Sequence, residues 1–221
     1  MDYSYIIILF IALVILMLIY AVLKFFDVKI IKEKITTKQI TGAAVLSAVE
    51  IVLIVMSNYV AIGPVNLNLS LVPIAVGAML YGPLVGGFLG LINGAITLIS
   101  PSTLAVFMPI SPIGTVLVCL LKTGLAGLIA GFIFKLFKNH KVVGTFIASI
   151  LVPIINTGLF CLGSYLFFTT WLNAGAVGYD NTFMFLLFAV IGWNFLIEMA
   201  IPLILSPTIY GIVRYFERKR D

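Results

Sequence analysis

Seven apolar runs separated by short polar or turn-forming segments organise the chain: residues 5–26, 40–62, 69–81, 83–99, 113–137, 142–168 and 183–215. A helix rises about 1.5 Å per residue and the bilayer's hydrocarbon layer is about 30 Å thick, so about 20 apolar residues cross it. The pattern therefore predicts an all-α integral membrane protein. Runs 69–81 and 83–99 are short and are divided by Tyr81-Gly82-Pro83, a turn signal. They are expected as short, tilted or bent helices.

Charge along the chain orients these runs. The segment 27–39, the Gly82 turn, residues 138–141 and the tail 214–221 hold or adjoin every loop lysine and arginine. Segments 63–70, 100–112 and 169–182 contain none. Cytoplasmic loops carry the excess of Lys and Arg, so the N-terminus is expected outside and the C-terminus in the cytoplasm, in the plasma membrane. Run 5–26 has its lysines on its C-terminal side, the reverse of a signal peptide, and reads as an uncleaved anchor. Segment 27–39 sets Ile30, Ile31 and Ile35 among lysines. It reads as a helix on the inner membrane surface or as a plain topogenic loop.

Composition agrees with lipid as the solvent. Of the 221 residues, 62% are hydrophobic and 10% charged, against about 45–50% and 25% in soluble domains. The net charge of +5 sits beside apolar runs, where it sets topology, so no nucleic-acid partner is expected. Cys119 and Cys161 lie inside apolar runs with no metal spacing and read as small core residues.

Enzymatic chemistry finds few parts. His140 is the only histidine, so no histidine-based metal site or triad can be assembled, and no cofactor is expected. No G-x-x-x-x-G-K-[ST] sequence is present, so a nucleotide motor of that type would have to belong to a partner. Gly82, Gly86, Gly90 and Gly94 recur every fourth residue, a spacing that lets helices approach closely in lipid. Ala43 and Ser47 repeat that spacing on a second small-residue face.

Three ionisable residues fall deep within spans: Glu50, Lys122 and Glu198. Such charges are costly and face a bundle interior or a cavity. Lys122 either neutralises Glu198 or Glu50, or serves as counter-ion to an anionic substrate. Asn66, Asn68 and Ser70, then Ser100, Ser102, Thr103 and Ser111, supply neutral hydrogen-bonding groups towards the outer side, with Asn156, Thr157, Trp193 and Asn194 inside spans. Apolar walls with a few placed polar groups are what a small-molecule pocket needs. The candidate substrate-binding residues are therefore Asn66, Asn68, Ser102, Lys122, Asn156, Thr157, Trp193, Asn194 and Glu198. For Asn156 and Asn194, interhelical hydrogen bonding is the competing role.

From about Thr41 onward, the chain resembles the substrate-binding S components of energy-coupling factor (ECF) vitamin transporters. Ala44-x-x-x-Ala48 is similar to the family's contact with its transmembrane coupling subunit. The run from Asn66 to Ile74, followed by Leu80-Tyr81-Gly82-Pro83 through Gly86 and Gly90, resembles the family's outer loop, short helix and glycine passage. Pro153-Ile154-Ile155-Asn156-Thr157 looks like the pantothenate-type branch. The resemblance implies a six-helix substrate-binding bundle over 40–221, preceded by an anchor and basic linker over 1–39. It also implies a coupling subunit and two cytoplasmic ATPase subunits as partners, with docking at Ala44 and Ala48. Pantothenate is favoured as substrate, with riboflavin and folate open. The rival classes are an autonomous proton-coupled secondary transporter using Glu50 or Glu198, and a ligand-free membrane scaffold.

Overall fold

The computed structural model describes residues 36–57, 59, 61–62, 65–66, 68–137 and 139–218. The expected first span, 5–26, and most of the basic linker lie outside the described residues.

Helix α1 covers Thr37–Ser57 and is followed by a two-stranded hairpin, β1 (Ala61–Ile62) and β2 (Val65–Asn66). Then come α2 (Leu71–Tyr81), α3 (Pro83–Leu98), a π-helical segment Thr103–Phe107, α4 (Pro112–Leu136) and α5 (Lys141–Phe167). The chain ends with α6 (Thr169–Gly175), α7 (Thr182–Met184), a π-helical segment Phe185–Ile191 and α8 (Gly192–Arg218). Four helical stretches, Thr37–Ser57, Pro112–Leu136, Lys141–Phe167 and Thr182–Phe216, are long and apolar enough to cross a membrane. With the shorter apolar α2 and α3 they make the six principal helices of an all-helical membrane bundle.

The structure corrects the sequence boundaries in three places. The span expected over 40–62 stops at Ser57, and Ala61 and Ile62 instead pair with Asn66 and Val65 in the hairpin. Gly63-Pro64 in the sequence between the two strands disfavours a helix continuing through 61–64, because proline lacks the N–H a helix needs and disfavours helical backbone before it. The segments 100–112 and 169–182, expected as loops, carry the π-helical Thr103–Phe107 and helix α6. Run 183–215 proves part of a longer helical stretch, Thr182–Phe216.

Burial explains how α2 can be short. Leu71, Pro73, Ile74, Ala75, Gly77, Ala78 and Met79 are all buried, seven of its eleven residues. A helix apolar all round is a core helix, and α2 sits inside the bundle against Leu89 of α3, Ile129 and Ala130 of α4, Val152 of α5 and Val213 of α8. Gly82, with φ of 98°, turns the chain from α2 into α3, a backbone conformation that favours glycine.

The glycine periodicity is spent on the α3–α4 contact. A Cβ on Gly86 would lie 2.6 Å from the Gly127 carbonyl oxygen, and one on Gly90 would lie 2.8 Å from Gly124 Cα. Thr123 Oγ1, on α4, donates to the Gly90 carbonyl at 2.6 Å. The backbones thus touch where any side chain would hold them apart, as expected of small-residue packing in lipid. At the lysine-bearing end of the bundle, Gln39 Nε2 donates to the Tyr81 carbonyl at 2.8 Å and ties the start of α1 to the end of α2.

Candidate functional site

Three helices converge on a small cavity of ≈ 50 Å³, with Asn68 from the connection before α2 also in its lining. Helix α4 contributes Lys122, α5 contributes Asn156, Thr157 and Phe160, and α8 contributes Asn194, Phe195 and Glu198. Asn68, between the hairpin and α2, completes the polar set, while Val190 and Ile191 supply apolar wall. Six of the nine sequence candidates therefore meet in one place: Asn68, Lys122, Asn156, Thr157, Asn194 and Glu198. Helical spacing accounts for part of this, since Asn194 and Glu198 are four residues apart on one face of α8.

The other three lie elsewhere. Trp193 is 69% exposed and points away from the cavity that its neighbour Asn194 lines. Ser102 precedes the π-helical Thr103–Phe107, with its hydroxyl 3.5 Å from that of Ser100. The backbone of Asn66 belongs to β2, opposite Ala61.

Glu198 anchors the site. It is 8% exposed, and its Oε1 accepts the backbone N–H of Asn68 at 2.8 Å. Lys122 lines the same cavity close enough to interact electrostatically with Glu198. Its ammonium sits 5.3 Å from the Phe160 ring centroid, a cation–π arrangement. Asn156 is 4% exposed, and its Oδ1 has no hydrogen-bond partner among the described residues. A buried amide oxygen left unpaired costs about 1–3 kcal/mol, and a ligand N–H or O–H would satisfy it.

A second polar layer lies behind the first. Asn68 Nδ2 donates to Asn93 Oδ1 at 3.3 Å, and Ser70 Oγ donates to Asn68 Oδ1 at 2.5 Å. Asn93 Nδ2 donates in turn to Ser70 Oγ. Glu50, fully buried on α1, has Asn93 beside its carboxyl group but no aligned hydrogen bond to either oxygen. Glu50 does not line the cavity with Lys122 and belongs to this inner layer. Sequence reasoning had no role for Asn93, although an asparagine inside the apolar run Leu91-Ile92-Asn93-Gly94 is a signal that could have marked it.

An aromatic cluster packs against Phe160, whose ring lines the cavity. Phe107 meets Phe160 at 5.9 Å, Trp171 at 5.1 Å and Phe168 at 4.9 Å between centroids, and Trp171 meets Phe185 at 5.7 Å. Two of these rings, Phe107 and Phe185, come from the π-helical segments.

A helical membrane bundle that brings polar side chains from three helices around one small cavity has the framework of a substrate-binding membrane subunit. Residues 38–210 match the family model of the ECF transporter, substrate-specific component, and the chain belongs to that family. No curated protein and no solved structure is similar enough to match. The family assignment fixes the protein as a membrane-embedded S component that works with other ECF transporter components.

Proposed function

We propose that this chain captures an anionic, vitamin-sized micronutrient from the outer side of the membrane, with pantothenate the favoured ligand over riboflavin and folate. The carrying observation is the convergence of Lys122, Asn156, Thr157, Asn194, Glu198 and Asn68 on one cavity. Lys122 pairs with the ligand's carboxylate, while Asn156 Oδ1 and Glu198 accept its N–H and O–H groups. The loops rich in serine and asparagine face outward and the lysine-bearing end faces the cytoplasm, so the C-terminus is cytoplasmic. Residues 1–39 act as an anchor and linker, and 40–221 form the binding domain.

The cavity of ≈ 50 Å³ is far smaller than the roughly 300–1,000 Å³ of a small-molecule site. Ligand entry therefore displaces the aromatic cluster of Phe107, Phe160 and Trp171. Energy comes from a coupling membrane subunit and two cytoplasmic ATPases. The coupling subunit docks at Ala44 and Ala48, which are exposed on α1.

Isothermal titration of the purified chain with pantothenate, riboflavin and folate tests the reading, with native mass spectrometry to detect any co-purified ligand. Saturable, Lys122-dependent binding of pantothenate is expected. Binding of none of the three would overturn the substrate assignment.

A further inference from the structure

An open apolar groove of ≈ 490 Å³ runs between α1 and α3 at the lysine-bearing end, lined by Gln39, Ala43, Ala44, Ser47, Phe88 and Ile92 among others. Beyond Gln39 and Ile40, its α1 wall is made of the small side chains Ala43, Ala44 and Ser47, which leave the concavity. None of the principal described helices fills it. It contains Ala44 of the proposed coupling face.

The chain itself supplies an occupant of matching chemistry. Residues 5–26 form an apolar run whose only charge is Lys24, and residues 27–36 connect it to α1. Those ten connecting residues can reach about 33 Å when extended, while packed helices need only about 8–10 Å between axes. The connection enters α1 at Thr37, and Gln39 and Ile40 already line the groove mouth. The tether is therefore long enough to let the apolar run lie along this groove, beside the helix it leads into.

We propose that the apolar segment 5–26 docks into the α1–α3 groove and covers Ala44. As a helix, residues 16–26 would extend about 16 Å, enough to follow Ala43 to Ser47 on one wall and Leu84 to Ile92 on the other. The exposed Leu84 and Phe88 pack against the segment's leucines and isoleucines, while Ala43, Ala44 and Ser47 let its backbone approach. The docking does not depend on the transport reading. Its consequence does: the segment and the coupling subunit compete for Ala44, so the chain regulates its own assembly.

Disulfide mapping in liposomes tests the docking. Both native cysteines are replaced, Cys119→Ala and Cys161→Ala, and Ser47→Cys is combined with single cysteines placed in turn from Leu16 to Leu23. Intramolecular cross-links are expected at positions repeating every three or four residues. No cross-link at any position, in variants whose thermal melting is unchanged and whose Ser47→Cys thiol reacts with a membrane-permeant maleimide, overturns the proposal. Cross-linked dimers also overturn it, because the occupant is then a second copy. Deleting residues 1–35 then tests the consequence, with at least tenfold stronger association with the coupling subunit expected. If periodic cross-links form but the deletion changes nothing, the docking stands and the coupling-face reading fails.

Discussion

The backbone N–H of Asn68 donates to Glu198 Oε1 at 2.8 Å, joining residues 130 positions apart. This bond ties the connection before α2 to the last helix and holds the Glu198 carboxylate at the cavity that Lys122 also lines. Removing that side chain leaves the buried Asn68 N–H unpaired. Leaving a buried donor unpaired costs about 1–3 kcal/mol. Glu198→Ala should therefore lower the melting temperature in detergent much more than Glu198→Gln, which keeps an acceptor for Asn68. Equal melting temperatures for the two variants would remove Glu198 from this role.

Lys122 tests the ligand's charge. Lys122→Ala should weaken binding of an anionic ligand tenfold or more, about 1.4 kcal/mol, measured by titration calorimetry on protein of normal melting temperature. Unchanged affinity would leave Lys122 with its cation–π contact to Phe160 and no place in recognition.

Ala44 and Ala48 are both exposed on α1. Replacing both with leucine should abolish uptake in cells that contain the other ECF components, while ligand affinity of the purified subunit stays within twofold. Normal uptake would remove this face from the coupling contact.

Glycine positions separate close backbone contact from mere flexibility. Gly90→Ala forces α3 and α4 apart and should destabilise by about 1–3 kcal/mol, the usual cost of overpacking. Gly211→Ala on α8 meets nothing within 4 Å, and a helical alanine there should be neutral or stabilising by up to about 1 kcal/mol. Thermal unfolding of the two variants should move in different directions or by clearly different amounts.

Ranges of apolar residues determined most of this protein from the sequence. Hydrocarbon rejects unpaired backbone, so apolar runs become helices; among the described residues the six principal helices follow from those runs with errors at their ends, while the helical turns inside 100–112 and 169–182 were not legible. The Gly86–Gly90–Gly94 spacing was legible for the same reason, because close helix packing depends on local period. Candidate chemistry was legible as residue type: Lys122, Glu198, Asn156 and Asn194 stand out as polar groups inside apolar runs. Tertiary structure alone decided which of them meet. Trp193 and Asn194 are adjacent in sequence, yet helical geometry turns one outward and the other into the cavity. Glu50 and Glu198 look alike as isolated membrane carboxylates, but only Glu198 lines the cavity with Lys122, while Glu50 lies beside Asn93. That sorting depends on how α1, α4, α5 and α8 are rotated about their axes, which is set by side-chain packing between segments far apart in the chain.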